Sequence, residues 1–180
     1  MTNNKGFTLL EIIVAMLVIV VFTAAGMSIY TMLIKKSDIQ VISQNIGKLK
    51  KECEQYANMN GYSFNTISGA AMQQQGLIPS NWGTNGNWAY TPSNAGLVNY
   101  WIGVGPWGIN SAFAVGVQGT SGFTLTNAGA LKLCNLFSNQ ISQFGYNGSA
   151  YNVNNATSCN VIPNNNAEVP AGDQFFLGFE

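Results

Sequence analysis

The sequence contains no histidine, and its seven basic residues are all lysine, so arginine is missing as well. Charge of either sign is scarce: 8% of the 180 residues are charged. Without imidazole, and with the acids of the head, 61–180, widely spaced, no nucleophile-base pair and no acid-base pair is suggested, so the chain does not read as an enzyme. After Lys51 the only base is Lys132, set against Glu52, Glu54, Glu168, Asp173 and Glu180. A groove that grips phosphates needs clustered positive charge, which this region lacks, and direct nucleic-acid binding is not expected. Glu168 and Asp173 fall far short of the roughly six to eight oxygens that calcium takes, so a solvated loop is the simpler reading and no metal or cofactor is implied.

What the chain has in excess is apolar surface, 47% of its residues. The excess sits at the front, where residues 12 to 34 read IIVAMLVIVVFTAAGMSIYTMLI without a charge. As a helix rising about 1.5 Å per residue this run spans a bilayer core of about 30 Å. An ordinary secretory signal has a shorter apolar stretch and a small-residue cleavage site behind it. Here Lys35 and Lys36 follow Ile34 directly. Hydropathy alone therefore gives a membrane anchor over 12–34, within an expected transmembrane and filament-core helix over 7–34.

Glu11 does not fit a plain anchor, because a carboxylate near one end of a spanning helix costs several kcal/mol unless it is neutralised or paired. If the chain is cut between Gly6 and Phe7, the new α-amine lies four residues, about 6 Å, from Glu11 on the same helical face. Lys5-Gly6-Phe7-Thr8-Leu9-Leu10-Glu11 followed by an apolar helix resembles the type IV filament family of pilins and secretion pseudopilins. The resemblance implies a leader of residues 1–6 removed by a prepilin peptidase and N-methylation of Phe7. It also implies a role for Glu11 in drawing an incoming subunit to the amine of one already assembled. The implied partners are the prepilin peptidase, the pilus assembly machinery, the inner membrane before assembly, and further copies of the chain in a helical filament. A cytoplasmic N-terminus comes from the resemblance too, since Lys5 faces Lys35 and Lys36 across the span and charge does not set that orientation. Many pilins have a proline where this chain has Ser28, which leaves Gly26 as the expected weak point of the helix.

The helix is expected to continue over 35–60, because Ile39, Ile42, Ile46, Leu49, Cys53 and Tyr56 recur at alternating steps of three and four. Lys48, Lys50, Lys51, Glu52 and Glu54 beside that stripe read most simply as a solvated face. Asn60-Gly61 is the natural stop, which makes a helix of about 54 residues and roughly 80 Å.

The remaining head, 61–180, is expected to set an antiparallel sheet against this helix, giving an α+β pilin fold. Ser68 is expected to cap a short helix through Gln75, closed by Gly76. A turn-rich loop over 80 to 96 leads to two antiparallel strands, Leu97 to Val104 and Ala112 to Gln118. Thr126 to Phe144 has helical spacing, with Asn127 as cap and Leu133, Phe137, Ile141 and Phe144 on one face. Tyr146 to Gly172 reads as turn-prone, its glycosylation-like triplets at Asn147 and Asn155 as chance in an Asn-rich stretch. Gln174 to Phe179 reads as a buried strand at the centre of the sheet. The four tryptophans read as core or subunit contact. Of the three cysteines, Cys134 and Cys159 fall in the polar head while Cys53 sits on the buried helical stripe. This favours a disulfide between Cys134 and Cys159 over the other two pairings, with Cys53 a buried free thiol. A helix-borne cysteine, a variable loop bounded at 134–159 and a terminal aromatic strand resemble the class b pilins, although the six-residue leader is commoner elsewhere in the family. The function this implies is a major structural pilin, with a secretion pseudopilin or a receptor-binding tip subunit as alternatives.

Overall fold

The computed structural model describes residues 9–91, 98–104, 112–120, 125–148, 151–165, 167 and 174–180, and of residues 24–38, 147, 148 and 151–155 it describes the backbone alone. Gly6 and Phe7, Trp107, and Glu168 and Asp173 lie outside the described residues, and so does the side-chain environment of Gly26. The chain divides into two compact units, Met1–Val41 and Ile42–Glu180.

Helix α1 covers Leu9–Met59. Its sequence is free of proline and rich in Leu, Ile, Ala, Met, Lys and Glu, which lose little freedom in a helix. It stops where Gly61 turns left-handed at φ 68° and the Tyr62 amide donates back to the Ala57 carbonyl at 2.7 Å. The same carbonyl accepts from the Asn60 amide at 3.0 Å, and glycine takes the positive φ without a Cβ clash. Asn60 adds a side-chain bond to the Tyr56 carbonyl at 2.7 Å. Helix α2, Gly69–Gln74, starts on Ser68, whose side chain accepts from the Ala71 amide, and closes at Gly76 with the Leu77 amide on the Met72 carbonyl.

The second unit carries one seven-stranded sheet in the order β1-β2-β3-β4-β7-β5-β6. The strands are β1 Gly83–Asn85, β2 Trp88–Tyr90, β3 Val98–Gly103, β4 Phe113–Gly119, β5 Ile141–Gly148, β6 Tyr151–Ala156 and β7 Gln174–Phe179, and each neighbouring pair is antiparallel. The chain thus places an N-terminal helix with an antiparallel sheet, an α+β pilin-like arrangement. β7 lies inside the sheet between β4 and β5, where its aromatic residues are covered by strands on both sides.

Within this unit Ile42, Ile46, Leu49, Cys53 and Tyr56 are all at most 2% exposed. Strand alternation and register put Tyr100 and Ile102 of β3, Phe113, Val115 and Val117 of β4, and Phe175, Leu177 and Phe179 of β7 on one buried face. Asn45 of α1 donates to the Tyr100 hydroxyl at 3.0 Å, and the Lys50 ammonium lies 5.8 Å over the Phe179 ring, so this face meets α1. Burial of the two apolar surfaces, at roughly 25 cal/mol per Å², is the main source of cohesion. The opposite face runs Trp88, Trp101, Gly116, Phe176 across four strands. Gly116 is needed there because a Cβ would meet the Phe176 ring.

The fold differs from the sequence reading in three respects. The helical stretch expected through Phe144 ends early: α3 is Asn127–Phe137, and Ile141 and Phe144 belong to β5. Ser138, Asn139 and Gln140 form a turn, and Ile141 onward gains sheet pairing with β7 that a helix would forgo. The cap of α3 is Thr126, whose hydroxyl accepts from the Gly129 amide at 3.1 Å, with Asn127 already inside the first turn. The stretches expected as loops hold β1, β2 and β6.

Candidate functional site

The first unit presents apolar side chains that nothing among the described residues covers. Leu9 is 77% exposed and Phe22 73%, and Leu10, Ile12, Ile13, Val14 and the residues through Val21 lie between 46% and 72% wherever their side chains are large. An uncharged helix surface on this scale is not a water-facing surface; it marks contact with lipid or with other protein. Among the described residues no helix is long and apolar enough to cross a membrane. Thr23 does not interrupt the apolar surface, because its hydroxyl is turned back onto the Ile19 and Val20 carbonyls at 2.9 Å each.

Glu11 is the acid of the first turn of α1 and its side chain is exposed. It sits among Leu9, Leu10, Ile12 and Ile13, so whatever covers these apolar residues also encloses the acid. A carboxylate enclosed in that way must be neutralised or paired.

The head has its own polar centre. Cys134 of α3 and Cys159, in a single 3₁₀ turn at Cys159–Val161, are joined by a disulfide with their Cα atoms 5.7 Å apart and a sequence separation of 25. Both are buried. A second tie lies at the start of α3. The Asn127 and Ala128 amides, which have no helical partner, donate to the carbonyls of Ala167 and Asn165 at 3.1 and 3.0 Å. The Asn127 side chain donates to Asn165 Oδ1 at 2.8 Å and accepts from the Tyr146 hydroxyl of β5. Asn127 is 6% exposed, so these bonds satisfy a polar group held away from water. The sequence pointed to a helix start here, but nothing in it showed that Asn127 would be the node joining β5, α3 and the loop.

Cys53 is fully buried, with its Sγ 3.8 Å from the Met72 Sδ. Burial, and after it the negative charges of Glu54 and Glu52, push its thiol well above the usual range, which keeps it protonated and unreactive. Tyr100 is pushed up to about 12 by burial, offset in part by its bond from Asn45. Among the described residues no group of three or more metal-binding side chains converges.

Residues 1–27 match the family model described as the prokaryotic N-terminal methylation motif, the type IV prepilin-like signal. The match supports a substrate of prepilin peptidase of the type IV pilin or pseudopilin kind, a structural protein that is anchored in the membrane as a precursor. Neither the comparison with curated proteins nor that with solved structures gives a match.

Proposed function

We propose that the protein is the major structural subunit of a type IV pilus. It is inserted in the inner membrane, cut between Gly6 and Phe7, methylated on Phe7 and polymerised into an extracellular filament. The observation that carries this reading is the uncovered apolar surface from Leu9 to Phe22, placed directly behind the leader motif and holding Glu11. Before assembly lipid covers that surface, with residues 12–34 as the span, and in the filament other copies cover it. Glu11 guides the exchange, because the partner it takes once enclosed is the α-amine that cleavage creates on a neighbouring copy. The fold of the second unit then forms the filament wall, and the rim bounded by Cys134 and Cys159 is the surface offered for adhesion or aggregation. The class b resemblance rests on that disulfide region and on β7.

A secretion pseudopilin is the second reading, favoured by the short leader ending at Gly6 and the aromatic Phe7. Filaments sheared from the cell surface separate the two. A major pilin is the dominant band, with a mass lacking residues 1–6 and heavier by one methyl group, whereas a pseudopilin is nearly absent from the sheared material and a tip subunit is found at one end only. An uncut N-terminus overturns the processing claim.

A further inference from the structure

The face of the sheet turned away from α1 holds a small array that the core does not use. Trp88 of β2 pairs with Trp101 of β3, and Tyr90 pairs with Asn99, so these four side chains stand together on that face, and all are half-buried. In such a ladder neighbours lie about 5 Å apart across the strands and about 7 Å apart along them. Two glycines seat the central ring. A Cβ at Gly103 would meet the far edge of the Trp101 indole and the Asn87 side chain, and one at Gly116 would meet the Phe176 ring and the Trp101 Cβ. The indole therefore lies down along β3 over Gly103, with its plane at 85° to the neighbouring Phe176 ring. Glycine weakens a strand interior, so two such positions that serve to lay one ring down are a cost to the sheet itself.

Hydrogen bonding also sets this face apart. Where the unit buries a hydroxyl it pairs it: Tyr56 with Thr66, Tyr100 with Asn45 and Tyr146 with Asn127. The indole N–H groups of Trp88 and Trp101, the Tyr90 hydroxyl and the Asn99 amide have no hydrogen-bond partner among the described residues, and none of them is shut off from solvent. Strands β1, β2, β3, β4 and β7 carry no charged residue.

We propose that this array binds a neutral oligosaccharide, one sugar ring of which stacks on Trp101 while its hydroxyls reach Trp88, Tyr90 and Asn99. The chemistry of the four residues selects that ligand. The negative face of an indole attracts the polarised C–H groups on the flat side of a sugar ring. The two N–H groups, the phenol and the amide match hydroxyls, whereas a wholly apolar partner would bury them unpaired. With no charge on these strands, nothing there holds a phosphate, a sulfate or a carboxylate. The binding goes beyond the filament reading and does not depend on it.

The test uses the full chain purified in detergent, with linear oligosaccharides of glucose, galactose and mannose as probes and calorimetry as the readout. Saturable binding of at least one of them is expected, with sialylated and sulfated probes binding no more tightly. Trp101→Ala is expected to lower the affinity by about tenfold, through loss of the stacked ring. That change also removes the contact with Phe176, so a second variant separates binding from folding. Tyr90→Phe/Asn99→Ala alters only groups without partners and is expected to lower the affinity about fivefold, with the disulfide and the urea midpoint unchanged. Tyr62→Ala, at an exposed aromatic residue beyond the end of α1, leaves binding as it was. Binding of none of the neutral probes overturns the proposal, and so does undiminished binding in Tyr90→Phe/Asn99→Ala or an equal loss in Tyr62→Ala. Loss of sheared filaments with sugar binding retained in Trp101→Ala would show that a second copy of the chain covers the face, which overturns it too. The probe assay needs no filament, so failure of the filament reading is seen separately, in the sheared material.

Discussion

The Tyr146 hydroxyl donates to the side-chain carbonyl of Asn127 in the interior of the head, joining β5 to the first turn of α3. The same asparagine holds Asn165 through its amide, so one buried side chain ties together a strand, a helix and the loop that follows the disulfide.

Tyr146→Phe removes one donor and leaves a buried acceptor, which costs about 1–3 kcal/mol. Asn127→Leu removes both of its side-chain bonds, the one from the buried Tyr146 hydroxyl and the one to Asn165, whose exposed Oδ1 still accepts from the Ala167 amide. The larger loss is therefore expected for Asn127→Leu, and the double variant is expected to be less destabilised than the sum of the singles, because both act on one network. Urea unfolding of the purified protein, followed by tryptophan fluorescence, measures all three; full additivity would show that the two residues are not coupled.

The disulfide acts on the same loop from its other end. With Cys134 and Cys159 separated by 25 positions in sequence, its removal by Cys134→Ser costs roughly 3 kcal/mol on the chain-entropy account. Cys53→Ala, which removes a single sulfur from a packed site beside Met72, is expected to cost about 1 kcal/mol and to leave the head folded. Protease resistance of the head in cell extracts separates them: Cys134→Ser is degraded and Cys53→Ala survives. Equal survival would mean that the Asn127 network alone holds the loop.

Much of this was legible in the sequence where burial has a short period. Ile42, Ile46, Leu49, Cys53 and Tyr56 follow the helical repeat, and all are buried. The strands β3 and β4 and the terminal strand β7 are apolar enough to be read directly, as are the Ser68 cap and the Gly76 stop. Leu133, Phe137, Ile141 and Phe144 misled because their spacing also fits a helix. What decides for β5 is its pairing with β7, a contact distant in sequence that no local pattern contains. β1 and β2 are only three residues each, and half of β6 is Asn, a residue poor in strand propensity, so their existence also depends on neighbours across the sheet.

Alkaline pH is expected to weaken the head through two buried groups. Both the Cys53 thiol and the Tyr100 phenol are raised above their ordinary values of 9.0 and 10.0. The folded state therefore keeps protons that the unfolded chain gives up. Stability is full below pH 9, falls by about 1.4 kcal/mol per pH unit once unfolded Cys53 ionises, and falls more steeply above pH 10 when unfolded Tyr100 does too. For Tyr100 the fall ends near its folded value of about 12. Urea midpoints taken between pH 7 and 11 test this. Cys53→Ala is expected to delay the fall to above pH 10, and Tyr100→Phe to leave only the shallower component. A profile unchanged in both variants would place the alkaline sensitivity elsewhere.

Glu11 offers the sharpest separation between an anchor and a filament subunit. In an anchor the acid serves no purpose and costs several kcal/mol in lipid, so Glu11→Ala should insert at least as well as the parent. In a subunit the same change removes the charge that draws one copy to the α-amine of the next, and with it the first step of every addition to the filament. Sheared filaments are therefore expected to fall to background in Glu11→Ala, while membrane precursor and cleavage after Gly6 persist. Glu11→Gln distinguishes charge from size, because it keeps the shape and hydrogen-bonding ends of the side chain without the carboxylate. Recovery of filaments in Glu11→Gln would mean that packing, and not the ion pair, is what the residue supplies. Normal piliation in Glu11→Ala would remove the residue from assembly altogether.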